Sequence, residues 1–339
     1  MKTVKEIYDF FLQYFTNGGK QLSLMDFMNT VPGFVEKNGD GTESMNMSMG
    51  MEYYKICEKM VDDLLLMRIK ANPMMGIMTQ YLAVHSANSS DPQAFNLALN
   101  YGAYDFKYRG FVYTRDYFTH SVLQIEGQHE DLRLDTGTAY YLGDNLFVTA
   151  AHCVNDVARF NLLLPDDTPL PLRDVWFAKG QDREVYDLAI IRVDGELTIP
   201  SFMLDAPAVL DEVLVMGFPP IANLPSIQTA ETATIGAYQK ASIGQVVANA
   251  TAYRTQMDFF LINARVKGGN SGGPVINKEG KVVGTVVALP YELESDPENP
   301  RYDIMGYGQC LPSKYIEELL SNPDVKPLVS ENGYYQMAD

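Results

Sequence analysis

From about Ser121 onward the chain runs in short stretches of Val, Ile, Leu, Phe and Tyr, broken at regular intervals by Gly, Pro, Asp and Asn. That rhythm belongs to an all-β sandwich or barrel, because a strand needs only a few residues before a turn reverses it. The first third is patterned differently. Val4, Ile7, Phe10, Phe11, Tyr14 and Phe15 recur at helical spacing over residues 4–16, and Thr16-Asn17-Gly18-Gly19 closes the segment. Residues 22–28 predict a short second helix ahead of Pro32-Gly33. Tyr53, Ile56, Cys57, Met60, Val61, Leu64 and Leu65 share one face of a third helix, stopped by Ala71-Asn72-Pro73. Residues 75–84 predict a strand, and the polar, Met-bearing stretch 37–51 a mobile loop. Charge marks the same division. Residues 1–120 carry 11 Lys+Arg against 13 Asp+Glu, and residues 121–339 carry 15 against 30.

Helix, short helix, helix, extended segment is the order of a winged helix, so residues 1–85 resemble that family in pattern. A DNA-reading member concentrates Arg and Lys on its last helix. Here Lys55, Lys59, Arg68 and Lys70 are balanced by Glu52, Glu58, Asp62 and Asp63, which favours a protein-binding or regulatory domain over a nucleic-acid reader. The net charge of -17 points the same way, since it repels nucleic acid and anionic membrane. The methionines of this region read either as flexible core and loop filler or as an adaptable partner surface. Residues 86–118 read as a linker. Its dense aromatics, with only Lys107, Arg109 and Arg115 interleaved, are expected to pack between two domains. Cys57, Cys153 and Cys310 are far apart and odd in number, which gives no disulfide framework and no metal-ligand cluster. With neither a signal-peptide pattern nor an apolar run of membrane-spanning length, a cytoplasmic, reducing location is expected.

Three segments of the second half carry chemistry. Residues 146–153 (LFVTAAHC) lead an apolar strand into a small-residue turn presenting His152. Residues 186–193 (YDLAIIRV) put Asp187 at the mouth of a buried strand, a position that Asp166, Asp167, Asp174 and Asp182 lack. Residues 268–274 (GGNSGGP) wrap Ser271 in glycine. A serine hydroxyl is a poor nucleophile until a base takes its proton, which is work for His152, with Asp187 fixing the imidazole tautomer. Two backbone N–H groups, of Gly269 and Ser271, are the candidate donors to an oxyanion, in a geometry that side chains would obstruct. His85, His120 and His129 have no partner motif and are expected at the surface.

In this order, Thr149-Ala150-Ala151-His152-Cys153, Asp187-Leu188-Ala189-Ile190 and Gly269-Asn270-Ser271-Gly272-Gly273-Pro274 closely resemble the trypsin-like serine proteases, and among them the HtrA-like branch. The resemblance covers about residues 119–322. It implies a metal- and cofactor-free serine endopeptidase acting on protein or peptide substrates, built as two six-stranded β-barrels with the catalytic residues between them. The domain map expected from the sequence is a helical domain over 1–85, an aromatic-rich linker over 86–118, a protease domain over 119–322 and a tail over 323–339.

The sequence also departs from the family. Secreted members pair the cysteine after the histidine with one about sixteen residues upstream, where this chain has Gly137. Asn270 replaces the Asp that pairs with a newly cut N-terminus, so activation by upstream cleavage is not expected. No PDZ domain is expected after the last helix, which leaves control to the N-terminal domain and a regulatory protein partner there. Counted from Ser271, the pocket floor falls near Arg265 with Lys267 beside it, favouring an acidic P1 residue; Leu289 on the pocket wall favours a small apolar one. The two inferences conflict and stay open. Two other classes compete: a binding or adaptor protein on a silent protease scaffold, and a winged-helix regulator that binds DNA.

Overall fold

A computed structural model describes residues 2–16, 18–39, 41–72, 74–178, 186–220, 238–251, 257–288, 291–293, 302–304 and 306–338. It divides into two compact units, Met1–Gly110 and Phe111–Asp339.

In the first unit, α1 (Val4–Leu12) starts at a capping box in which Thr3 and Glu6 exchange hydrogen bonds, and it buries Val4, Ile7, Tyr8 and Phe11 as its periodicity requires. It is followed by β1 (Leu22–Ser23), α2 (Leu24–Met28), β2 (Val35–Lys37), β3 (Glu43–Met45), α3 (Met47–Asp62), β4 (Leu66–Lys70) and β5 (Gln80–Ala83). The sheet order is β1-β5-β4, and β2 pairs with β3. The stretch expected as a mobile loop therefore holds a hairpin and the first turn of α3. That helix starts early because the Asn46 side chain caps it by accepting the Met49 amide. It also ends before Leu64, which turns to positive φ and stands 74% exposed.

The segment expected as a linker is structured too. Asp91 caps α4 (Pro92–Tyr101), which ends at Gly102 in the left-handed region, and α5 (Ala103–Tyr117) breaks at Gly110. Its aromatics belong to separate cores. Leu99 and Tyr108 pack into the core of the first unit with Phe95 and Tyr104 against them, and Phe118 stacks on Phe202 at 3.9 Å in the second. Helix residues that face a core of their own have no need of a second domain to bury them.

The second unit is two closed barrels. The first contains β6 (Val122–Gln128), β7 (Leu134–Gly143), β8 (Leu146–Thr149), β9 (Arg159–Leu163), β10 (Leu172–Ala178) and β11 (Ala189–Val193). The second contains β12 (Glu212–Gly217), β13 (Lys240–Thr251), β14 (Asp258–Ile262), β15 (Pro274–Ile276), β16 (Val282–Ala288) and, after the small hairpin β17 (Tyr291–Leu293) and β18 (Tyr302–Ile304), β19 (Gly308–Pro312). The helix α7 (Lys314–Ser321) leads into β20 (Pro323–Glu331) and β21 (Tyr334–Met337). These two strands fill the gap between β10 and β9, so the first barrel has eight strands where six were expected, and the expected tail is barrel wall. The gain is two paired edges that would otherwise stand open. Tyr334 Oη donates to Glu126 at 2.7 Å and Asn161 donates to the Gly333 carbonyl at 3.0 Å, pinning the hairpin. The second barrel has the expected six strands around Val213, Val215, Phe260, Ile262, Val275 and Val286. Tyr140 and Thr285 hydroxyls, 2.8 Å apart and buried, join one barrel to the other.

Candidate active site

Register brings the first pair of residues together. The tight turn at Asp144 and Asn145, both at positive φ, folds β8 back on β7. Strand β11 pairs antiparallel with β8, with Ala189 opposite Thr149. Asp187, two residues before Ala189, therefore arrives beside His152, three residues after Thr149 and the first residue of the single turn α6 (His152–Asn155). The carboxylate grips the histidine twice: the His152 amide donates to Asp187 Oδ1 at 2.9 Å, and Nδ1 lies 2.7 Å from Oδ2. A carboxylate acceptor assigns a proton to Nδ1 and, in the neutral ring, leaves Nε2 as the acceptor. Tyr186 holds Asp187 from behind by donating to the Tyr315 carbonyl at 2.8 Å. Among the other aspartates, Asp174 pairs with Arg192 and Trp176 and Asp166 caps the Thr168 amide, while Asp182 lies outside the described residues.

Burial pulls the His152 pKa down, but the hydrogen bond to Asp187 and the adjacent Cys153 thiol outweigh it. The net direction is well above the ordinary imidazole value.

Ser271 comes from the second barrel, in the loop before β15. It lines the same cleft as His152, of about 540 Å³. No hydrogen bond joins its hydroxyl to the imidazole, a contact that commonly tightens only with substrate bound. Thr138, fully buried on β7, organises this loop. Its amide donates to the Ser271 carbonyl at 2.9 Å and its hydroxyl to the Gly269 carbonyl at 2.6 Å. Asn270 turns its own amide inward to the Lys267 carbonyl, 3.0 Å away, while the amides of Gly269 and Ser271 bond to nothing among the described residues. Gly269 sits at φ +88, where a Cβ would lie 2.5 Å from the Phe218 carbonyl oxygen. Thr138 was visible in the sequence only as the neighbour of Gly137.

Not every expected residue joins the site. Arg265 and Lys267 are exposed and line a different cavity that shares no residue with the cleft, and Leu289 lies outside the described residues. His129, expected at the surface, instead lines the cleft, with Nε2 2.6 Å from Asp135 Oδ2 and 3.1 Å from an Arg133 nitrogen. Asp135 six residues downstream was its only sequence signal. Cys153 is buried and free, and a Cβ on Gly137 would fall 2.7 Å from its sulfur.

An imidazole held by a carboxylate on one barrel, lining a cleft with a glycine-wrapped serine from the other, is the architecture of a trypsin-like peptidase. Residues 137–284 match the family model described as trypsin-like peptidase domain. Its relatives are HtrA-type proteases. The chain is 27% identical over 162 residues to serine protease HTRA1B of Danio rerio (46% of this chain, 31% of that protein). It is 26% identical over 176 residues to serine endoprotease DegS of Escherichia coli (51% and 43%). With protease Do-like 2, chloroplastic, of Arabidopsis thaliana, it shares 26% over 197 residues (56% and 29%). The chain thus spans less than half the length of each of these relatives.

Proposed function

We propose that this protein is a serine endopeptidase. The observation that carries the reading is the two-point grip of Asp187 on His152 in the cleft that also holds Ser271. In this mechanism Ser271 Oγ attacks the peptide carbonyl carbon and passes its proton to His152 Nε2. The oxyanion is met by the Gly269 and Ser271 amides. Imidazolium then protonates the leaving amine, and water, deprotonated by the same nitrogen, hydrolyses the acyl ester and restores Ser271. Asp187 holds the tautomer and offsets the imidazolium charge. A fluorophosphonate probe is expected to add one phosphonyl group to Ser271 of the full chain, seen by peptide mass mapping, and to leave Ser271→Ala unlabelled. Labelling elsewhere, or none, would favour the second reading, a silent adaptor scaffold, which the missing Ser271–His152 hydrogen bond alone supports.

The helical unit is proposed as a winged-helix-like regulatory module that takes a protein partner; its balanced charges and the sheet order β1-β5-β4 support this. Removing residues 1–110 should change the rate of Ser271 labelling or its response to partner, and an unaltered rate in both respects would argue against regulation. Three free, buried cysteines support a reducing compartment. Among the described residues no helix is long and apolar enough to cross a membrane.

A further inference from the structure

Behind the nucleophile loop lies a cavity of about 280 Å³ whose lining includes Lys240, Arg265, Lys267, Asn270 and Pro219. Lys240, Arg265 and Lys267 all line it, and among the described residues none of them forms an ion pair, although the unit that carries them holds 15 Lys+Arg against 30 Asp+Glu beyond residue 120. Like charges lining one cavity repel unless a counter-charge enters, and a lining that includes a guanidinium and two ammonium side chains suits a carboxylate or phosphate oxygen pair. Lys240 is already oriented, donating to the Pro219 carbonyl at 3.0 Å. Asn270 ties the cavity to the nucleophile loop. Asn270, 4% exposed, donates both its amide (3.0 Å) and its side-chain nitrogen (3.2 Å) to the Lys267 carbonyl, and its own carbonyl receives the Gly273 amide at 2.8 Å. The turn closed by these bonds carries Gly269 and leads directly into Ser271.

We infer that this cavity is an effector site for an anion, a carboxylate or phosphate group held by Lys240, Arg265 and Lys267, whose binding fixes the turn that positions Gly269 and Ser271. The control of reactivity rests on the peptidase reading; the binding does not. Binding is therefore measured on full-length Ser271→Ala, by calorimetry and melting temperature at constant ionic strength, with two probes: inorganic phosphate and the capped peptide Ac-Glu-Glu-Glu-NH2. At least one probe should bind and raise the melting temperature as its concentration rises. Arg265→Gln and Lys267→Gln should each weaken binding at least about tenfold, as expected for loss of a charge-assisted contact, and Lys326→Gln, an equal charge loss outside the cavity, should not. Phosphate alone would identify a free oxyanion as the effector, and the peptide alone or both probes would identify an acidic polypeptide segment. Binding by neither, or binding that survives both substitutions, overturns the site. In wild type, the occupied cavity should change the fluorophosphonate labelling rate of Ser271 severalfold, an effect lost in Lys267→Gln; an unchanged rate with intact binding overturns the control while leaving the site.

Discussion

Changing Asp187 to Asn is expected to lower kcat by about 10⁴-fold while the protein stays folded. An amide can turn its NH2 toward Nδ1 of His152, which then becomes the acceptor, and the ring proton moves to Nε2, the nitrogen that must take the proton of Ser271. The contact survives with its polarity reversed. The pH dependence separates this from simple misfolding. The base form of His152 does the work, so kcat/KM of the wild type should fall as pH drops through the His152 pKa, and that limb should lie above the ordinary histidine value of about 6.5 because Asp187 favours the imidazolium. In Asp187→Asn the limb should move down. The same shift acts on stability with the opposite sense. A pKa raised in the folded state contributes stability fully present below the unfolded value near 6.5 and lost as pH rises through the folded value. Acid thus strengthens the His152–Asp187 pair and silences the base. Turnover of a quenched fluorescent casein across pH 5–10, beside melting temperatures in the same buffers, would test both. A variant within tenfold of wild type, or an unmoved limb, would remove Asp187 from the proposed role.

What the sequence made legible follows the reach of each interaction. His152, Asp187 and Ser271 each sit in a local pattern, a strand end or a glycine turn, that is written in consecutive residues. The pairing of His152 with Asp187 needed only one further fact, the antiparallel register of β8 and β11. The hairpin of β20 and β21 was not legible because alternation along residues 323–337 says that a strand exists without saying which edges it joins, here those of β10 and β9. His129 was missed because its partner Asp135 and the cleft wall are made by the fold, and the separate cavity lined by Arg265 and Lys267 was not legible because counting along a loop does not say which cavity a residue lines. The glycines illustrate the limit best. Read locally, they all serve the oxyanion; in the structure Gly272 sits instead against Thr138, Thr149 and Ala150 of the first barrel.

Gly272→Ala is expected to cost more than about 4 kcal/mol, or to prevent folding outright, a magnitude confined to a few mechanisms of which forced overpacking at a strained backbone is one. Its φ of +81 is itself worth about 1–2 kcal/mol against an L side chain. Sterics add more: the new Cβ would lie 2.1 Å from the Thr138 carbonyl oxygen, 2.3 Å from Thr149 Oγ1 and 2.8 Å from the Ala150 nitrogen. Two of these are backbone atoms in the strand and turn that lead to His152, so relief requires the second barrel's loop to lift off the first. Gly268→Ala is the control in the same loop. Nothing lies within 4 Å of its Cβ position and its φ is not in the left-handed region, so its stability should stay within about 0.5 kcal/mol of wild type. For a unit of this size the difference between the two should exceed about 10 °C in melting temperature. Near-equal melting temperatures would mean that the loop carrying Ser271 does not seat on Thr138 and Thr149. The same contact that forbids a side chain at Gly272 holds the serine's loop against the barrel that carries the histidine, so stability and the alignment of nucleophile with base are set at one point.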